Sequence, residues 1–322
     1  MNTLLWAALA AVLVFAVALA AFWNRLHWAW RSLLALGSVV SVVAAVGVQL
    51  NALTEAFPTA TDAVPVASNT GSSQLFAVSV HGPASKLTLP MYVYLPAGYH
   101  EGTTRYPVIE AFHGVPGTPQ YWVHKLDVKS TLDAEIAAGR MAPTVVLFPQ
   151  QTTSPTLDTE CTNLKNGPQA ETFLTVDVPA FAKAHYRIRT DRAGWGLTGY
   201  SAGAFCAINL TLRHPTQFAA GASLSGYASA GITIGDGSEH TTNNPFWRLK
   251  HLPQPASALW LGWAADDKQC AHDSRLLAAS AHGPLAVTTA VVAHGGHSSA
   301  VWRQMEAPAF DWLSAHLAGP LP

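Results

Sequence analysis

Twenty residues, Leu4 to Trp23, pass without a single charge. As a helix they would rise about 30 Å, the thickness of a bilayer's hydrocarbon core. A second uncharged run, Ser32 to Leu50, follows after a short connection. Neither run carries an amphipathic stripe of the kind that seats a surface helix on a core. The pair predicts an N-terminal transmembrane helical hairpin, with helices at about 4–23 and 32–50 inside a segment 1–53. The connection, residues 24–31, holds Arg25, Arg31 and the belt-type aromatics Trp28 and Trp30, and no further Lys or Arg occurs before Lys86. By the positive-inside rule the connection is cytoplasmic, which predicts a multi-pass protein of the cell membrane with its large C-terminal part extracytoplasmic. A cleaved signal peptide or a single-pass anchor is the competing reading. It is disfavoured because the first run lacks a basic leader and a second run of spanning length follows at once.

Residues 54–75 are rich in Thr, Ala, Ser and Pro and read as a linker. The remainder, 76–322, suits one α/β domain. Short apolar runs bounded by turn residues predict strands at 87–95, 107–112, 144–148, 194–198, 220–224, 256–263 and 286–292. Helical stretches fall between them, at 172–185 and 202–214, and a last helix spans 302–317. That alternation implies a mostly parallel sheet with helices on both faces. The stretch 227–255 has little periodicity and reads as an insertion over one end of the sheet. Lys and Arg number 18 against 19 Asp and Glu, a net charge of -1, so the chain has no basic footprint and no nucleic-acid partner is expected.

One motif carries chemistry. Gly199-Tyr200-Ser201-Ala202-Gly203 follows an apolar strand and opens an Ala-rich helix. This is the context of a G-x-S-x-G nucleophile elbow, where glycines permit a sharp turn that leaves the serine hydroxyl above the sheet. A serine hydroxyl is a poor nucleophile and needs a base that is itself oriented by a carboxylate, here expected in the chain order Ser, acid, His. Among the downstream histidines, His294 and His297 alone sit in a glycine-flanked loop after a late strand. His297, nearer the last helix, is the better base, and His294 is expected to order the loop. Asp266 and Asp267 directly follow the strand at 256–263. Asp267 is preferred as the acid with Asp266 as the alternate, and one of the two is expected to cap a turn or helix. The oxyanion hole is expected from the N–H of Ala202 and an N–H in His113-Gly-Val-Pro-Gly117, either Val115 or Gly117, since Pro116 has none.

At these residues the sequence resembles the α/β-hydrolase superfamily, in its esterase D and mycoloyltransferase-like branch. The resemblance rests on MYVYLPAGY, YPVIEAFHGVPG, the DTEC segment, WGLTGYSAGAFCA, RHPTQFAAGASLSGY and GGHSSAVWR, which together span about 88–317. It implies an α/β-hydrolase fold, Ser201 as nucleophile and His297, five residues before Trp302, as base. The acid loop departs from the family's usual Gly-x-x-acid pattern, because Ala264 stands in the glycine place before Asp267. Mycoloyltransferases of this branch use Glu as the acid, so an Asp there points to an esterase.

The three cysteines, Cys161, Cys206 and Cys270, all fall near the active-site end of the sheet, so a bridge from Cys161 to one of the others would pin the loop 151–168. No C-x-x-C or H-E-x-x-H spacing occurs and the 14 histidines do not cluster, so no metal or other cofactor is expected. Trp122, Tyr200 and Trp302 are candidates for the substrate-binding wall, and Trp263 is weighed beside them. A membrane-tethered pocket with aromatic walls suits a lipidic or acylated-glycan ester. The expected function is a membrane-anchored extracytoplasmic serine esterase working through an acyl-enzyme. The alternatives are an acyltransferase that passes the acyl group to a sugar hydroxyl, and a non-catalytic hydrolase-fold envelope protein.

Overall fold

The structure is a computed structural model that describes residues 3–22, 27–54 and 71–322. The chain divides into two units, Met1–Pro58 and Thr59–Pro322.

The first unit contains α1 (Thr3–Phe22) and α2 (Trp28–Thr54). They pack on each other, with the Phe15 ring of α1 lying directly over Gly37 of α2. Within α2, Trp28–Ala52 is long and apolar enough to cross a membrane, and only 11% of its most apolar window is buried. The corresponding apolar segment of α1 is shorter, Leu9–Ala21. Trp28, Trp30 and Arg31 belong to the first turn of α2 rather than to a connecting loop, while Arg25 lies outside the described residues. Most of the expected linker, residues 55–70, also lies outside them.

The second unit is built on an eight-stranded sheet of order β1-β2-β4-β3-β5-β6-β7-β8. β1 (Gln74–Gly82) and β2 (Leu87–Leu95) form an antiparallel pair, and β2 runs antiparallel to β4. From β3 (Val108–Phe112) and β4 (Val145–Pro149) through β5 (Trp195–Tyr200), β6 (Ala220–Leu224), β7 (Ala258–Ala264) and β8 (Ala286–Val292), every pairing is parallel. β1 was not expected from sequence, and its first two residues fall in the predicted linker. It carries the short apolar run Leu75–Val78, but a run of small polar residues directly precedes it.

The central strands are buried on both faces, and their side chains split by the two-residue period. Ile109 and Ala111 of β3, with Val146 and Phe148 of β4, enter one core, which also takes in Trp122, Leu132 and Phe310. The helices on that side are α3 (Gln120–His124), α4 (Val128–Ala137) and the C-terminal α10 (Ser299–His316). Val108 and Phe112, with Val145 and Leu147, enter the opposite core. There the cover is a continuous helical run, Ala170–Thr172 (α5), a π turn at Phe173–Asp177 and Val178–His185 (α6), followed by α7 (Ala202–Arg213). A third cluster joins α7 to α8 (Pro245–His251) and α9 (Lys268–Ser280) over β7. The predicted insertion therefore contains a helix, α8. Its signal was local rather than periodic: Pro245 stands in the first turn and Asn244 Oδ1 accepts the Trp247 N–H at 2.9 Å, a capped start. α10 (Ser299–His316) closes the chain.

Candidate active site

Ser201 sits between β5 and α7 with φ 56 and ψ -123, a conformation that a serine adopts only when its surroundings impose it. The two glycines of the motif explain how the turn closes. A Cβ on Gly199 would lie 2.2 Å from the Gly203 carbonyl oxygen, and one on Gly203 would lie 2.4 Å from that of Phe112. Both obstacles are backbone, so strand, turn and helix meet at distances that only glycine tolerates.

Above this turn the hydroxyl meets a histidine. His297 Nε2 lies 2.8 Å from Ser201 Oγ, and His297 Nδ1 lies 2.7 Å from Asp267 Oδ2. Asp267 is largely shielded, with 9% of its side chain exposed, whereas His297 is 40% exposed and open to a substrate. The sequence expectation therefore finds Ser201, Asp267 and His297 together. Asp267 also caps α9, since its Oδ1 accepts the Cys270 N–H at 3.3 Å. One carboxylate thus both meets the imidazole and caps the helix. Asp266 does something else: it accepts the N–H groups of Gly295 at 3.1 Å and Gly296 at 2.9 Å. Those bonds hold the Asp266 carboxyl below its ordinary value. His294 is exposed and adds an electrostatic contact to Asp266, while the hydrogen bonds that hold the histidine loop come from Asp266.

The loop after β3 lies against the elbow. A Cβ on Gly114 would stand 3.1 Å from Ser201 Cβ, which brings the backbone of His113–Val115 beside the hydroxyl. Of the two donors expected from this loop, Gly117 already gives its N–H to Pro155 O at 3.0 Å, which favours Val115. Ala202 is the first residue of α7, where helical N–H groups lack intrahelical acceptors. His113 is wholly buried, and burial holds its imidazole down at about 4, so it stays neutral. Gln151 pins the loop, accepting from His113 N at 3.0 Å and donating to His113 O. Gln151 was not foreseen, because a Gln-Gln pair after a strand carries no sequence signal.

The aromatic candidates behave differently from expectation. Trp122 is fully buried and donates its indole N–H to Phe112 O at 3.1 Å, so it is core rather than pocket wall. Trp263 is 3% exposed and packs with the α7–α9 cluster on the other face. Tyr200, 2% exposed, stacks on Trp302 with ring centroids 4.6 Å apart. Trp302 in turn meets His297 edge-on at 5.2 Å. Tyr200 and Trp302 form a buried floor under the histidine, and Trp302 touches the site itself.

The disulfide is Cys161–Cys206, with Cα atoms 5.5 Å apart, and Cys270 is free and buried. It ties the loop after β4 to the first turns of α7. Beside it Glu160 is 1% exposed, and its Oε1 accepts from Tyr227 Oη and Gly231 N, each at 2.8 Å. Burial pushes the Glu160 carboxyl up to about 7.

A strand–elbow–helix with a hydroxyl, imidazole and carboxylate in series, on a mostly parallel sheet with an antiparallel edge, defines an α/β-hydrolase of the serine-hydrolase type. Residues 84–316 match the family described as "Putative esterase", and the chain belongs to that family. A curated relative from Corynebacterium glutamicum, an uncharacterized protein, is 25% identical over 241 residues, covering 69% of this chain and 56% of the relative. The chain thus spans little more than half the length of that relative. Among solved structures, a ferulic acid esterase superposes with a TM-score of 0.67 at 17% identity, covering 76% of this chain and 99% of that one. FphF, a fluorophosphonate-binding serine hydrolase of Staphylococcus aureus, superposes with a TM-score of 0.62 at 15% identity, covering 76% and 99%.

Proposed function

We propose that this chain is a serine esterase whose nucleophile is Ser201, whose general base is His297 and whose orienting acid is Asp267. The observation that carries this is the unbroken series of contacts from Asp267 through His297 to Ser201, at 2.7 and 2.8 Å, on a strained elbow. Ser201 Oγ attacks the ester carbonyl while its proton passes to His297 Nε2. The resulting oxyanion lies against the N–H groups of Ala202 and Val115. Collapse expels the alcohol, which takes the proton back from His297, and leaves an acyl-enzyme. Water then enters, deprotonated by the same nitrogen, and releases the acid. Asp267 holds Nδ1–H throughout, so that Nε2 keeps its lone pair toward the serine.

The apolar Trp28–Ala52 segment supports membrane anchoring, and the placement of Arg25 and Arg31 supports a hairpin with the enzyme outside. A lipidic or acylated-glycan ester is the substrate class that this location favours.

The test is fluorophosphonate labelling and p-nitrophenyl butyrate hydrolysis by the wild type and Ser201→Ala. We expect both to vanish in the variant, and undiminished labelling would remove Ser201 from its role. Product analysis with trehalose in the reaction separates hydrolysis from transfer to a sugar. Protease accessibility of the catalytic domain in intact cells tests the outward orientation.

A further inference from the structure

The side of His297 that faces away from Ser201 is not occupied by Asp267 alone. Cys270 Sγ lies 3.6 Å from the same nitrogen, Nδ1, and donates its proton to Ser225 O at 3.2 Å. One donor atom from each of Asp267, Cys270 and His297 falls within 4.8 Å of the others. Carboxylate, thiol and imidazole form a donor set that suits zinc-like, thiophilic cations rather than magnesium or calcium. The spacing suits them too. A tetrahedral ion about 2.3 Å from sulfur and about 2.0 Å from nitrogen sets those atoms about 3.5 Å apart, against the 3.6 Å found. Asp267 needs to withdraw by well under 1 Å, since its 2.7 Å contact must open to about 3.3 Å. The half-exposed imidazole leaves the ion a path in.

The geometry points to an inhibitory site for a thiophilic divalent cation at Asp267, Cys270 and His297, built into the back of the proposed catalytic relay. It rests on the reading of His297 as the base. On binding, the cation takes the Nδ1 lone pair, so the imidazole proton moves from Nδ1 to Nε2. The Cys270 thiol proton is released to solvent, and nothing is oxidised or reduced. An imidazole protonated at Nε2 can no longer accept the Ser201 proton, so the ion blocks the reaction without touching the substrate pocket.

The test uses the purified full-length protein with zinc or cadmium as the probe. Zinc is expected to inhibit ester hydrolysis reversibly, with activity restored by chelator. Cys270→Ala and Cys270→Ser are expected to keep most turnover in metal-free buffer and to shift the inhibition midpoint upward by at least about tenfold. Cadmium is expected to produce a thiolate charge-transfer band in the wild type and in Ser201→Ala, absent from both Cys270 variants. Imidazole ¹⁵N spectra are expected to show the His297 proton moving to Nε2. Equal midpoints in wild type and Cys270 variants, no thiolate band, or a band without the tautomer change would each overturn the proposal. If the chain turned over no ester at all, the band and tautomer change would still report the cation site, so the two readings fail separately.

Discussion

Asp266 and Asp267, neighbours in the chain, hold the histidine loop from two directions. Asp267 reaches the imidazole of His297 at 2.7 Å, while Asp266 reaches the backbone N–H groups of Gly295 and Gly296 just before it. Replacing each with Asn therefore separates two functions. Asp267→Asn leaves a side chain of the same shape that can offer its N–H to Nδ1 and favour the wrong tautomer. A fall in kcat of about 10⁴ is expected. Asp266→Asn keeps the imidazole's partner but loosens the loop, and a misplaced base costs about 10² in kcat with KM little changed. Steady-state hydrolysis of a p-nitrophenyl ester reads both. The assignment of the acid is wrong if the Asp266 variant proves the more damaged of the two.

The elbow leaves no room for a side chain at Gly203, as at Gly199. Its missing Cβ would lie 2.4 Å from Phe112 O, and the Phe112–His113 backbone cannot yield without shifting β3 and the loop that carries Val115. Gly203→Ala is expected to cost about 1–3 kcal/mol of stability. It should also lower kcat in the surviving folded protein, because Val115 and Ala202 move apart. Urea denaturation and turnover of the same preparation check the pair of effects. An alanine variant of native stability and full activity would contradict the close approach.

The bridge between Cys161 and Cys206 closes 45 residues of sequence separation. On chain-entropy grounds such a loop is worth about 4 kcal/mol, and 2–4 kcal/mol is the usual range. Cys161→Ser with Cys206→Ser is expected to lower the unfolding free energy by that order. Hydrogen exchange should rise first in residues 151–168, which the bridge fastens to α7. A Tm unchanged by reductant in the wild type would show that the bridge does not form.

Most of the sheet and the elbow were legible because their signals are local. β2, β6 and β8 fall where apolar runs bounded by turn residues predict them, and Gly199–Gly203 names its own geometry. The choice between two adjacent aspartates was harder, since both are single carboxylates in one turn and only the three-dimensional path of the loop separates them. Asp267 was preferred from its place after β7, but its double use as helix cap and imidazole partner is a tertiary fact. The aromatic wall misled for a related reason. Trp122 follows the His113–Gly117 loop and Tyr200 lies within the elbow motif, yet α10 packs over both, with Phe310 against Trp122 and Trp302 against Tyr200, and burial is a property of what packs on top. The roles of Asp266 and Gln151 depend on backbone groups far away in sequence, which leave no mark in composition or spacing.

Glu160 sets a pH dependence of known sign. Its carboxyl is buried against Tyr227 and Gly231 and raised from 4.5 to about 7, so the folded state holds a proton that the unfolded chain releases near 4.5. The stabilisation that this proton represents is whole below pH 4.5 and is lost as pH rises through about 7. A displacement of that size corresponds to roughly 3 kcal/mol at most. Glu160→Gln keeps an oxygen for Tyr227 and Gly231 and cannot ionise, so its stability should not fall over this window. His113 acts in the opposite sense. Burial lowers it from 6.5 to about 4, so its contribution is lost as pH falls through that interval, but it is present in both proteins and cancels in their difference. Urea denaturation of wild type and Glu160→Gln at pH 5 and pH 8 is the measurement. The variant should gain on the wild type between the two pH values, and parallel curves would show that Glu160 ionises as freely in the fold as in the unfolded chain.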